Sequence, residues 1–176
     1  MDCAIRQLEH DSDAEGWALL RKEALECHPL AFGATVPDDP RQLVDLIKER
    51  IGSSKESVVF GAFRAASMIG IVGLRRHAGK KERHKASIWG MYVTAGSRRG
   101  GVGDMLLCKA IDQARSWPGV EQIHLTVSDL ATEARRLYEK HGFREWGREP
   151  RALCWEGRCV DEAHMVLDLR ESQRTV

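Results

Sequence analysis

Gly100, Gly101 and Gly103 follow an arginine pair, Arg98 and Arg99, soon after the apolar run Ile88-Trp89-Gly90-Met91-Tyr92-Val93. Residues without a Cβ let the backbone curl tightly and bare its N–H groups. Val102 and Asp104 lie where an apolar pattern of helical period begins, so those N–H groups fall at the positive end of a helix dipole. A strand, a basic glycine-rich turn and a helix start together make a cradle for phosphate or pyrophosphate. The spacing argues against two common nucleotide loops. A Walker loop requires Lys-Ser or Lys-Thr after its last glycine, whereas Asp104-Met105 follows Gly103. A dinucleotide fingerprint requires G-x-G-x-x-G after an early strand, and only Gly101-Val102-Gly103 fits, in mid-chain.

A second run carries chemistry of another kind. Leu125-Thr126-Val127 reads as a strand, and Ser128 and Asp129 offer caps for a helix with Leu130, Ala134, Leu137 and Tyr138 on one side. Gly142 closes that helix as a left-handed cap, and Phe143 follows. Tyr138 shares this face with Ala134 and Leu137, and on the residues alone it reads as an amphipathic core residue.

The pattern Arg98-x-x-Gly101-x-Gly103 after a strand ending in Met-Tyr-Val resembles the acetyl-CoA loop of the GNAT acetyltransferases. The run from Leu125 to Phe143, with Leu-Tyr near the helix end and then Gly-Phe, resembles the second motif of the same family. His28-Pro29-Leu30-Ala31-Phe32-Gly33 and Asp161-Glu162-Ala163-His164-Met165 look like segments of bacterial members, so the resemblance spans nearly the whole chain.

The resemblance implies acetyl-CoA as cofactor and an N-acetyltransferase that moves acetyl to a small-molecule or protein amine. Backbone groups of Met91, Tyr92 and Val93 would hold the pantetheine arm, and the Met91 N–H would polarise the thioester carbonyl. Arg98, Arg99, Gly100, Gly101, Val102, Gly103 and Asp104 would hold the pyrophosphate. Tyr138 would stand at the sulfur and protonate the departing thiolate. The family splays its sheet beside the loop strand, and Gly90 would mark the bulge that starts the opening. Two departures stand out. Ala131 replaces an asparagine common at the start of the second motif's helix, so one cofactor hydrogen bond is either missing or supplied by Ser128. Ser87 stands where some members carry a glutamate on the loop strand, so the general base does not carry over. Asp129, His124, His164, Asp161 and Glu162 are candidates, and the sequence chooses none. Direct attack in a ternary complex is expected, because no Cys–His or Ser–His pairing is evident. Phe32, Trp89, Trp146 and Trp155 are aromatic candidates for an acceptor pocket, with the core as their other use. His124 and His164, on strands, are further acceptor-side candidates or ordinary sheet residues.

These residues need elements to hold them. A short strand is expected over residues 3–9. Ser12-Asp13-Ala14-Glu15 reads as a capping box opening a helix with Trp17, Leu20, Ala24 and Leu25, ended by His28-Pro29. A second helix is expected from Asp39-Pro40 through Leu43, Leu46 and Ile47 to Gly52, and the loop from Pro29 to Asp39 should wall the acceptor site. Ser57–Phe63 and Met68–Leu74 read as strands joined by Ala65-Ala66-Ser67. Val102, Leu106, Ala110, Ala114 and Trp117 share one helical face before Pro118-Gly119. Strands near Phe143–Gly147 and Ala163–Leu169 flank a turn at Glu156-Gly157-Arg158, and the tail from Glu171 should fray. This order suits an α/β (α+β) fold over residues 1–176: one domain, a mixed central sheet of about six to seven strands, helices on both faces and a splayed cofactor cleft.

Composition narrows the alternatives. The chain has 176 residues, 43% apolar and 30% charged, with a net charge of +1, so no global field draws it to nucleic acid or membrane. No apolar run approaches a bilayer span and Met1-Asp2-Cys3-Ala4 lacks a leader's pattern, which makes a cytoplasmic location the expectation. The cysteines Cys3, Cys27, Cys108, Cys154 and Cys159 are odd in number without C-x-x-C. Reduced thiols and no metal are expected, with Cys108 a small core residue. The basic run from Arg75 to Lys85 lacks aromatics for base stacking and reads as a solvated hairpin loop. A non-catalytic acyl-CoA sensing module is the alternative to an enzyme, and a homodimer is compatible with the resemblance.

Overall fold

The computed structural model describes residues 3–8, 11–36, 44, 47, 48 and 54–170. Near-continuous runs of Val, Ile and Phe make Ser57–Arg64 (β2) and Ser67–Arg76 (β3) a hairpin covered on both faces. Ala4–Gln7 (β1) pairs with β2, and Lys85–Val93 (β4) with β3, all antiparallel. Gln122–Ser128 (β5) joins β4 in parallel and pairs on its other side with Arg158–Asp168 (β7). Arg144–Trp155 (β6) closes the edge. The sheet therefore has seven strands in the order β1-β2-β3-β4-β5-β7-β6.

Helices cover both faces. Asp11–Cys27 (α1) lays Trp17, Leu20 and Ala24 against Val59, Ile71 and Tyr92. Val102–Ser116 (α2) buries Leu106, Leu107, Ala110, Ile111 and Ala114 on the other face, and Thr132–Lys140 (α3) adds Tyr138 there. Each leucine, isoleucine or valine side chain among these stabilises by about 1.5–3 kcal/mol when taken out of water.

The sequence reading needs several corrections. Helix α1 begins at Asp11, before the expected capping box, and Asp13 is buried against Arg6, whose guanidinium donates to both carboxylate oxygens at 2.8 and 2.6 Å. In the expected second helix, Val44, Ile47 and Lys48 are helical and Ile47 is buried; Asp39, Pro40, Leu43, Leu46 and Gly52 lie outside the described residues, as does the tail from Glu171. Ser128 and Asp129 do not cap α3. Its N-cap is Ala131, because Arg148 takes the Asp129 carboxylate at 2.6 and 2.5 Å while the Ser128 hydroxyl accepts the Leu130 N–H in a preceding turn. Leu130 therefore precedes the helix and is half exposed. Cys108 is exposed, since α2 turns its 102/106/110 stripe inward and carries residue 108 away from it. Cys154 and Cys159 are not reduced thiols but a disulfide, because the hairpin register sets them directly opposite each other on β6 and β7. Those two strands are also longer than expected. Charged residues that point to solvent from an edge strand hide its extent.

The basic run between β3 and β4 has a structural use. Arg76 donates to the carbonyls of Arg83 at 2.7 Å and Pro118 at 2.8 Å, and both Arg76 and Arg83 pair with Glu56.

Candidate functional site

Strands β4 and β5 are paired only over Lys85–Ser87 and Gln122–His124, and beyond Ser87 they part. The cause is local. Gly90 and Met91 together oppose the single residue Val72 of β3, a bulge for which Gly90 adopts φ 61°. The rest of β4 thus keeps one edge without a strand partner, the expected site of splaying. A cleft of about 860 Å³ opens there. Met91, Tyr92 and Val93 line it from β4, Leu130, Ala131 and Tyr138 from the far wall, and Pro29 to Phe32 from a short 3₁₀ turn after α1.

At one end of the cleft stands the start of α2. Gly101, φ 79°, is its N-cap, Arg99 is also left-handed at φ 60°, and no side chain caps the helix. The N–H groups of Val102, Gly103 and Asp104 thus lack intrahelical acceptors and stand at the positive end of the helix dipole. A Cβ at Gly103 would lie 3.3 Å from Leu137, so glycine there also seats α2 closely on α3. The Asp104 carboxylate is turned outward to Lys140 at 2.6 Å and His141 at 3.0 Å; the ammonium first, then the imidazole, hold its carboxyl below the usual range. Arg99 is at the rim, highly exposed and 3.6 Å from Glu133. Arg98 folds inward instead: Nε donates to the Val93 carbonyl at 2.9 Å and Nη2 lies 3.0 Å from His28 Nε2, with the guanidinium over the Tyr92 ring. Burial and then Arg98 lower the His28 pKa, so this imidazole is held neutral.

Tyr138 is buried beside Met91, its hydroxyl 3.6 Å from the Met91 sulfur, and desolvation pushes its pKa up to about 12. The phenol thus keeps its proton at any physiological pH. On the α1 side, Tyr92 and Thr94 both donate to Glu23 Oε1 at 2.8 Å, an anchor between β4 and α1 that sequence reasoning missed. Arg158, at the hairpin end of β7, also reaches the cleft and was likewise missed.

Several expected site residues lie outside the cleft lining. Gly100, Val102 and Ser128 do not line it, and Val102 is core. Trp89 is half-buried against Trp17, ring centroids 6.0 Å apart, and over Gly73. Phe32 does line the cleft. His124 and His164 sit together on the β5–β7 face opposite α2, where Trp146, missed as their neighbour, lies 6.4 and 5.4 Å from them by ring centroids. Among the described residues, Asp104, Cys108 and His141 form one group with metal-ligating atoms within 4.8 Å, and Lys140 already neutralises its carboxylate.

Comparison with known proteins fits this geometry. The family model described as "Acetyltransferase (GNAT) family" matches residues 17–143. A mycothiol acetyltransferase from Thermobispora bispora is 30% identical over 145 residues, covering 81% of this chain and 46% of that protein. The chain thus spans about half the length of this curated relative. An acetyltransferase of the GNAT family from Streptococcus pneumoniae superimposes with a TM-score of 0.80 at 25% identity, over 96% of this chain and 100% of the other. A putative acetyltransferase from Salmonella typhimurium, solved with its cofactor acetyl-CoA, gives a TM-score of 0.81 at 19% identity over 96% and 95%, a likeness of fold.

Proposed function

The chain belongs to the GNAT family of acetyl-CoA-dependent N-acetyltransferases, and from that premise we propose that the cleft between β4 and β5 seats acetyl-CoA and hands its acetyl group to the primary amine of a small molecule or protein. One observation carries the reading: a parallel strand pair parts at a glycine bulge directly beside a helix N-terminus that no side chain caps. The free edge of β4 offers main-chain partners to an extended amide-bearing arm, and the N–H groups of α2 receive the diphosphate.

When bound, acetyl-CoA supplies an activated acetyl thioester. The Met91 N–H donates to the carbonyl oxygen where negative charge gathers during attack. Tyr138, held protonated by burial, donates to the sulfur as the carbon–sulfur bond breaks. The acceptor attacks directly, with no acyl-enzyme: Cys27 and His28 both line the cleft, but the His28 Nε2 is engaged by Arg98 at 3.0 Å and is not available as base to a thiol nucleophile. The cytoplasm, where acetyl-CoA is available, is the location that fits this reading. None of the described helices is long and apolar enough to cross a membrane.

The test is thiol release by purified protein supplied with acetyl-CoA and a panel of amines. Turnover is expected, and Tyr138→Phe should lower kcat about a hundredfold while cofactor affinity stays within about twofold. Binding of acetyl-CoA without thiol release from any amine would favour a sensing module over an enzyme.

A further inference from the structure

Beside the mouth of the cleft, the α1-side face of β5, β7 and β6 carries an arrangement that costs the fold energy. Glu149 of β6 and Glu162 of β7 are directly opposite in the antiparallel register. Such pairs set their Cβ atoms about 5 Å apart, and like charges there repel. The two carboxylates do sense each other: Glu149 raises the Glu162 pKa, after burial as the larger cause. Relief is partial. His164 Nε2 is 3.4 Å from Glu149, and the Thr126 hydroxyl hydrogen-bonds Glu162. Glu162 is also opposite Ser128, the last residue of β5 where the cleft wall begins, so it stands one strand from the gap.

A second, independent feature shares this face. The β6–β7 register slips between Glu145 and Gly147, which makes Trp146 the extra residue of a bulge. Its neighbours Glu145 and Arg148 turn to the α3 side, where they pair with Arg135 and Asp129. The bulge sends Trp146 to the opposite side, onto His164 and His124, with 62% of its surface exposed. Bulges that re-aim a side chain are over-represented beside active sites. The indole meets His124 edge-on, at 80° between ring planes, and His164 at a tilt of 54°, while the rest of it stays open to solvent. It has the form of a platform for a cation or an alkyl chain.

We propose that this face is the acceptor's seat, that it selects an amine bearing a second cationic centre, and that Glu162 takes the proton from the reacting ammonium. The proposal rests on the acetyl-transfer reading above and names its substrate class and base. The second cation lies between Glu149 and the Trp146 ring. The reacting ammonium gives one proton to a Glu162 oxygen, leaving a neutral amine. Its nitrogen lone pair forms the bond to the thioester carbon, and the electron pair of the breaking carbon–sulfur bond goes to sulfur. Sulfur takes a proton from Tyr138, the nitrogen's second surplus proton restores that phenol, and Glu162 returns its own to water. The products are the amide, free thiol and one released proton. Glu162 meets the need that Ser87 leaves unmet on β4.

The experiment compares 1,4-diaminobutane with 1-aminobutane, which differ only in the second charge, in the thiol-release assay. The intact chain should prefer the diamine in kcat/KM by about tenfold or more, the worth of one charged contact. Glu149→Gln should erase that preference, so that kcat/KM for the two amines becomes equal within about twofold in this variant. Glu162→Gln should lower kcat for both about a hundredfold, and the loss should shrink between about pH 7 and pH 10 as the amine becomes neutral in solution. A purely structural Glu162 would show no such recovery. The groups facing it are Glu149, His164 and Thr126, and the Glu149→Gln profile separates the contribution of that neighbouring carboxylate. Equal rates for the two amines, or an unimpaired Glu162→Gln, would overturn the proposal. If no amine is turned over, calorimetric titration of the diamine into protein saturated with coenzyme A decides, and absence of heat overturns the seat. Failure to bind acetyl-CoA at all would instead strike the underlying reading.

Discussion

Arg98 is legible in the sequence as a phosphate ligand, yet its guanidinium is engaged with the Val93 carbonyl and His28 on the cleft wall. The carbonyl it holds belongs to the β4 edge that lost its strand partner, so Arg98 supplies one missing hydrogen bond there. Replacing Arg98 and Arg99 together by alanine should weaken coenzyme A binding about tenfold, read by calorimetry, with Arg99 alone contributing little because exposed charges are screened. His28 adds a pH dependence. Its folded-state pKa is lowered, by burial first and Arg98 second, so the unfolded chain takes up the proton more readily than the folded one. Stability therefore falls as pH drops through the ordinary histidine value of about 6.5. His124, lowered by burial and then by Lys85, adds to the same slope. His28→Gln should reduce the loss of Tm between about pH 7.5 and pH 5.5; an unaltered loss would show that the Arg98 contact does not depend on a neutral ring.

At the level of elements, what the sequence displays is what short-range physics decides. Helix α2 was readable because its stripe repeats at the helical period, and Gly142 because a helix end needs a left-handed residue, φ 88° here. The order β5-β7-β6 was not readable, since it depends on which distant strands meet, and neither were the events that order creates. Trp146 is in the sequence one of four aromatic candidates for an acceptor pocket or the core, and only the β6 bulge sets it apart; Cys154 and Cys159 read as independent thiols until the register sets them opposite. The acidic pair on β6 and β7 was hidden for the same reason, because Glu149 and Glu162 become neighbours only through pairing. Gly73 is a further case. A Cβ there would fall 2.2 Å from the Trp89 indole, so this second glycine of β3 lets that ring lie across it, tied to Trp17 of α1. Gly73→Ala should cost about 2 kcal/mol in urea unfolding, and adding Trp89→Leu should recover part of it. Additive losses in the double variant would disconnect the two positions.

The whole molecule is a sheet divided by its own central pair, with two core layers joined across β2, β3 and β4 and a far half of β5, β7 and β6 held by three parallel register positions. A ligand that lies along the free edge of β4 and contacts the far wall from Leu130 to Tyr138 completes that sheet, so binding and folding are coupled across both halves. A ligand that binds only the folded state stabilises by about 2.7 kcal/mol at a free concentration of 100 times its Kd. Acetyl-CoA at that level should raise Tm by several degrees, and by about the same amount in Glu162→Gln, whose cofactor seat is intact. Amide hydrogen exchange should report where the coupling acts: Met91 and Val93, on the open edge, should gain protection with the ligand, while Ile71 and Val72, already paired within β3, should not. Protection spread evenly over both strands would mean that the ligand stabilises the fold as a unit without occupying the gap.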